Sequence, residues 1–365
     1  MGLRIGGPSR CDDQTVRITG VVTEVTSRAK AHPVRDAIQV LDRDGGCRLR
    51  IETDEGVTGT SDTYFGREAA SPGILAAILD GQLAPAIVGH DPTMIREIRQ
   101  RLRALTDYQG TAGLSTLAMA AIDTALWDLA GRALGVTVWR LLGAARSAIP
   151  AYAMVGWLEL DVDQLQAVTA RAVEQGFRGV KVKVGGGPLN QDVERIGAVR
   201  EVLGPDRALM VDANQAFDRA EALRRGRAYA DLGCRWFEEP LPAADTDGHV
   251  ELASRLDLPI ATGENRYGQA QFTELIARGG VGVVQPDLRR AGGVTDCFEI
   301  GLLAQAFRVP YASHGGGPHV HVLAALPNTI YVESGLLPDG GDLALVDGCY
   351  PLPTGPGLSG WSSGS

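Results

Sequence analysis

The sequence predicts an α/β protein: a (β/α)8 barrel with an N-terminal α+β capping domain that the C-terminal segment completes. Three observations predict it. From about residue 141, short apolar runs alternate with helical patterns, the rhythm of a parallel barrel. Three of those runs end in a carboxylate, Asp212, Glu238 and Glu264, each 26 residues after the one before. One strand, one helix and two loops take about that many residues in a barrel, so the acids fall on three consecutive strands. Finally, the chain of 365 residues exceeds a typical barrel by roughly a hundred, which leaves room for a second, smaller domain.

The elements follow in order. Residues 1–15 are polar and Gly-rich and read as a loose tail. Val16–Thr26 and Cys47–Thr53 alternate apolar and polar residues like strands, and Glu55–Gly59 supplies a turn and a further short strand. Ser27–Asp36 between them reads as a polar, basic loop. Ser115–Gly131 reads as a helix, capped by Ser115 or Thr116 and ended by Gly131. These elements assign residues 16–140 to the capping domain. The barrel, 141–335, has candidate strands at Ala151–Met154, Gly179–Val184, Ala208–Asp212, Arg235–Glu238, Pro259–Gly263, Gly282–Gln285, Val309–Ser313 and Thr329–Val332. Asp161–Gln175 and Asn190–Leu203 are examples of the helices between them. Residues 336–365, rich in Gly and Pro, are expected to return across the surface to the capping domain.

Composition excludes several classes. A net charge of −9 argues against nucleic acid or an anionic membrane surface as partner. The five cysteines are odd in number and show no CxxC spacing, which fits reduced thiols in a cytoplasmic protein. The N-terminus lacks the apolar core of a secretion signal, and no apolar run is long enough to span a membrane.

The chemistry lies at the strand ends. Three converging carboxylates repel one another unless a cation lies between them, and an all-oxygen set favours a hard ion such as Mg²⁺. Lys181 and Lys183 alternate on the second candidate strand, so both amines face one cavity. Mutual repulsion and burial are expected to lower their pKa, as a lysine base requires near neutrality. Asp287 ends strand six and His314 ends strand seven. A carboxylate on one imidazole nitrogen fixes the tautomer and makes the other more basic. Glu333 ends strand eight on the same face. His319–Val320–His321 has a metal-binding spacing but follows the seventh strand, and it reads as helix surface.

The ordered motifs KVK at Lys181–Lys183, VDAN at Val211–Asn214, EEP at Glu238–Pro240, GEN at Gly263–Asn265 and QPD at Gln285–Asp287, with His314 and Glu333, resemble the enolase superfamily. Within it they are similar to the mandelate racemase subgroup. The resemblance implies Mg²⁺ on Asp212, Glu238 and Glu264, stabilising the enediolate formed when a proton α to a carboxylate leaves. It implies Lys183 as the base on one face, with Lys181 beside it, and His314, oriented by Asp287, as acid or base on the other. Glu333 would donate a hydrogen bond to the enediolate if protonated. Asn214 and Glu239 would support the metal ligands or touch the substrate. Muconate-lactonising and dipeptide-epimerase relatives carry a lysine near the end of strand six, where this chain has Asp287. Relatives are commonly homo-oligomers, which is the assembly expected here.

Two bases on opposite faces of one carbon permit dehydration of an acid sugar to a 2-keto-3-deoxy acid, or racemisation or epimerisation of a 2-hydroxy acid. Arg28, Lys30, His32 and Arg35 in the first capping loop, and Asp62, Tyr64 and Arg67 in the second, suit hydroxyls and a distal carboxylate better than an aromatic ring. Arg28 and Tyr64 are candidate specificity residues, with a solvated rim as the alternative reading of these groups. They favour dehydration of a small-molecule carboxylate, with a hexarate as the working substrate. A metal-dependent hydrolase barrel would carry more histidines at strand ends. A barrel kept only as a scaffold would be expected to lose its costly charges.

Overall fold

The computed structural model describes residues 16–63, 70–335 and 345–359. An antiparallel sheet opens the chain: β1 (Ile18–Arg35), β2 (Val40–Thr53) and β3 (Thr58–Thr63), in the order β1-β2-β3. Ser27–Asp36 is not a loop. Cross-strand pairing runs on from Ser27↔Gly45 to Arg35↔Val40, through a register shift between Ala29 and Val34. The polar, basic composition reflects a hairpin that is exposed along most of its length, because backbone pairing needs no apolar face. Asp36 closes its tip by accepting from Ile38 N and Gln39 N. The tip lies against the start of the barrel: Leu158 N donates to Arg35 O at 2.9 Å, and Arg35 N to Glu159 Oε2 at 2.8 Å.

Helix Leu114–Leu134 packs on this sheet and is buried on most of its circumference, as its Ala-rich middle allows. Neither expected cap holds. Gly113 occupies the N-cap, Thr116 Oγ1 turns back to Thr111 O, and the helix ends at Gly135 in the left-handed conformation. Gly131 serves a close approach instead, since a Cβ there would sit 2.6 Å from Gly357 Cα. The chain near its C-terminus thus lies on this helix. Gly357 N donates to Val136 O, and Leu358 N to Asp128 Oδ1 at 2.8 Å. Asp128 also accepts from Thr60 N of β3, tying sheet, helix and terminal segment together.

The barrel strands are β4 (Ala148–Gly156), β5 (Gly179–Lys183), β6 (Ala208–Asp212), β7 (Phe237–Glu238), β8 (Ile260–Thr262), β9 (Val283–Val284), β10 (Tyr311–Ala312) and β11 (Thr329–Gly335). They pair in parallel in sequence order, and β11 pairs with β4 to close the ring. A last strand, β12 (Cys349–Pro351), adds antiparallel to β4. Tyr152, Met210, Trp236, Ala261, Val283 and Ala312 fill the barrel interior as a layer of their own. A second core lies between barrel and helices, and a third within the cap. Among the described residues, no helix is long and apolar enough to cross a membrane.

The HxH pair is not helix surface. His319 and His321 begin helix His319–Ala325 and are 1% and 0% exposed. Tyr311 Oη meets His319 Nε2 at 2.8 Å, and Trp139 N donates to His321 Nδ1 at 3.3 Å. Both rings are spent on packing, because this short helix is covered by the C-terminal segment and by the helix at Val138–Leu141.

Candidate active site

Strand ends build the site. Parallel β5, β6 and β7 are in register so that Lys183 stands beside Asp212, and Asp212 beside Glu238. Glu264 follows β8 across Gly263, where a Cβ would lie 2.7 Å from the Gln285 carbonyl carbon, so only glycine fits. One carboxylate oxygen from each of Asp212, Glu238 and Glu264 comes within 4.8 Å of the others, and all three residues are buried. Burial raises Glu238 to about 7, helped by Asp212 and its other acidic neighbours against the pull of Lys181. Burial, followed by Glu264 and Asp212, pushes Glu239 well above the ordinary range. Glu264 Oε2 has no hydrogen-bond partner among the described residues, although His314 Nε2 lies 3.0 Å away. Buried, mutually repelling, all-oxygen and incompletely satisfied, these acids fit a hard divalent cation.

The lysines point into the same cavity. Lys181 Nζ lies 2.6 Å from Glu238 Oε1, 3.1 Å from Glu333 Oε1 and 3.7 Å from Asp212 Oδ2. Lys183 Nζ meets Asp212 Oδ2 at 2.5 Å. The expected lowering of pKa does not occur. Burial pulls each lysine down, but Glu238 and Glu333 on Lys181, and Asp212 on Lys183, hold both above the ordinary value. Repulsion between two ammonium groups is outweighed by carboxylates in direct contact with them. A cation sharing those carboxylates would weaken this pull.

Across the mouth, His314 Nδ1 meets Asp287 Oδ2 at 2.7 Å. Burial would lower this imidazole, yet Glu264 and Asp287 raise it to about 9. Burial likewise raises Asp287, but its bond to His314 prevails and holds the carboxyl far below its usual range. Glu333 accepts from Gly315 N at 3.1 Å and from Tyr152 Oη at 3.2 Å. Burial would raise it too, but Lys181 and His314 keep it below the ordinary glutamate value. In this form Glu333 accepts hydrogen bonds and cannot donate one.

Asn214 and Glu239 stand at strand ends with left-handed backbones, φ 44° and 41°. That conformation costs a glutamate of order 1–3 kcal/mol, a strain typical of functional loops. Asn214 N donates to Asp212 Oδ1, while its own buried Oδ1 has no partner among the described residues. Arg28 lies on the hairpin, two-thirds exposed, with its Nε 4.0 Å from Asp44. Tyr64 and Arg67 lie outside the described residues. Asp62 pairs with Arg289 at 3.0 Å, joining cap to barrel beside Asp287.

Sequence reasoning passed over three aromatic residues. Trp157, just past β4, lies over Lys183 at 5.3 Å, and Tyr152 lies over Lys181 at 5.6 Å. Trp236 donates to Glu238 Oε2 at 3.1 Å, as does Gln285 Nε2 at 2.9 Å. Period-two alternation along AYAMVGW and CRWFEEP carried a signal, because it sends Tyr152 and Trp236 to the barrel interior with the charged ends.

A capped barrel with three convergent acids between a lysine pair and a histidine–aspartate pair defines a protein of the enolase type. Comparison with known proteins gives the family. Residues 18–143 match the family model "Mandelate racemase / muconate lactonizing enzyme, N-terminal domain", and residues 164–360 match "Enolase C-terminal domain-like". The chain belongs to the mandelate racemase/muconate lactonizing enzyme family of the enolase superfamily. It is 34% identical to a 3,6-anhydro-alpha-L-galactonate cycloisomerase of Streptomyces coelicolor, over 85% of this chain and 86% of that protein. It is 36% identical to an L-talarate/galactarate dehydratase of Salmonella typhimurium, over 78% and 71%. Among solved structures, the L-talarate dehydratase from Polaromonas sp. JS666, complexed with Mg and L-glucarate, superposes with a TM-score of 0.87 at 34% identity, covering 94% of this chain and 95% of that one.

Proposed function

We propose that this protein is a Mg²⁺-dependent acid sugar dehydratase, acting on a sugar diacid of the hexarate class. The observation that carries the reading is the position of the acid cluster between Lys183 on one side and His314 on the other. Asp212, Glu238 and Glu264 would hold the metal, and Mg²⁺ there supplies a positive charge for the substrate carboxylate as its α-proton leaves. With a cation on Asp212, the pull of that carboxylate on Lys183 would weaken, and Lys183 Nζ as the free amine would take that proton. Lys181, anchored to Glu238 and Glu333, keeps a second positive charge beside the carboxylate. His314 keeps its bond to Asp287, which favours a proton on the ring. It can give that proton to the β-hydroxyl, which departs as water, and Asp287 holds the ring in place for this.

Support for a diacid comes from two of the proteins named above, dehydratases whose substrates or bound ligand are sugar diacids. The test is incubation with Mg²⁺ and a panel of acid sugars in D₂O, followed by proton NMR. The expected outcome is a 2-keto-3-deoxy product from a hexarate. Loss of the α-proton signal without elimination would overturn dehydration in favour of racemisation or epimerisation by the same two groups.

A further inference from the structure

Five residues at the mouth form a closed hydrogen-bonded and ion-paired ring. Arg290 N donates to Asp287 Oδ1 at 3.2 Å. Asp287 Oδ2 meets His314 Nδ1 at 2.7 Å, and His314 Nε2 meets Glu264 Oε2 at 3.0 Å. Asn265 Nδ2 donates to Glu264 Oε1 at 3.2 Å and to both oxygens of Glu239 at 2.9 Å. The Arg290 guanidinium donates to Asn265 Oδ1, which closes the ring.

Arg290 therefore acts twice. Its main-chain N–H, with that of Arg289, donates to the Asp287 carboxylate that orients the histidine. Its side chain decides which way the Asn265 amide faces. A guanidinium only donates, so it meets the Asn265 amide through the carbonyl, and this turns the NH₂ towards Glu239 and Glu264. Turned over, Asn265 would set its NH₂ against the guanidinium, donor against donor. The Arg290 side chain thus joins the loop after β8 to the segment after β9.

We propose that Arg290 is a positioning residue for the metal: through Asn265 it sets the Glu264 carboxylate that would bind the cation, and it links that carboxylate to the His314–Asp287 pair. This rests on the acid cluster binding Mg²⁺, as proposed above. Outer-shell partners of this kind typically change metal affinity 10–100-fold. Arg290 acts through another residue, so its signature is affinity for Mg²⁺ itself, without substrate.

The experiment is calorimetric titration of Mg²⁺ into the full-length wild type, Arg290→Met, Arg290→Lys, Asn265→Leu and the Arg290→Met/Asn265→Leu double variant, each checked for native near-UV dichroism. Expected are a roughly 10–100-fold weaker Kd in Arg290→Met, recovery of most of that loss in Arg290→Lys, and no further loss when Arg290→Met is added to Asn265→Leu. Wild-type affinity in a folded Arg290→Met would overturn the proposal, as would additive losses in the double variant. Should Arg290→Met not fold, Arg290→Lys and Asn265→Leu decide the question: the lysine must keep affinity and the leucine must lose it. A wild type that binds no Mg²⁺ refutes the metal reading itself, and this inference with it.

Discussion

His314 and His319 stand five residues apart, just past the same strand, and the protein holds them in opposite states. Burial disfavours the charged form of both. His314 meets Glu264 and Asp287 and is raised to about 9. His319 meets only the Tyr311 hydroxyl among the described residues, and burial takes it down to about 4 despite a pull from Asp287. His321, behind it, is lowered to about 4 for the same reason. Burial alone therefore does not set the charge of a histidine. Carboxylates in contact do, and at His314 the strand ends supply two.

The comparison can be broken by substitution. His314→Asn and Lys183→Met should each lower turnover about 10²–10⁴-fold, the usual contribution of an acid or base in position. His319→Asn should leave turnover within about tenfold, acting only through packing. Steady-state rates on the sugar identified by the NMR panel check this. Equal losses at 314 and 319 would erase the distinction.

A second prediction sharpens it. Asp287→Asn removes one of the two carboxylates on His314, so that imidazole should titrate below about 9, towards the ordinary histidine value. His319 should remain near 4. Ring-proton NMR across pH reads both histidines in one sample.

Third, the interior pair should make the protein acid-sensitive. Both folded values lie below the unfolded value near 6.5, so the unfolded chain binds more protons between about 6.5 and 4. Their stabilisation is complete above that window and is lost as pH falls through it. The loss should be about 2 kcal/mol per histidine at pH 5 relative to pH 7. Urea unfolding at the two pH values should show a smaller difference in His319→Gln and His321→Asn, whatever their absolute stability. The smallest effect is expected at Arg28→Ala, where an exposed pair with Asp44 is removed. Stability should change by no more than about 0.5 kcal/mol in the same urea assay.

Much of this was legible in the sequence because barrel chemistry has a period. Asp212, Glu238 and Glu264 announce themselves by equal spacing and by ending apolar runs, and the Lys181–Lys183 alternation sets both amines on one face. What pattern alone could not give was the balance of forces between side chains. Lysine–lysine repulsion is visible in KVK, but the stronger pull of Asp212 and Glu238 depends on distances. His319 and His321 look like a polar helix face because the segment that covers them, at Ser359, follows 38 residues after His321. Ser27–Asp36 reads as a loop because an exposed hairpin is held by backbone pairing, which leaves no apolar alternation. Arg290 and Asn265 carry no sequence signal for their ring, which exists only when the loops after β8 and β9 meet.

The most direct measurement is thermal unfolding of the wild type and of Glu238→Gln over a range of Mg²⁺ concentrations. A ligand that binds only the folded state raises the midpoint in proportion to RT ln(1 + [L]/Kd). The wild-type midpoint should rise with Mg²⁺ along that curve, and the rise should vanish in Glu238→Gln. A wild type indifferent to Mg²⁺, or an equal rise in the variant, would contradict the claim that Asp212, Glu238 and Glu264 form the metal site on which the chemistry depends.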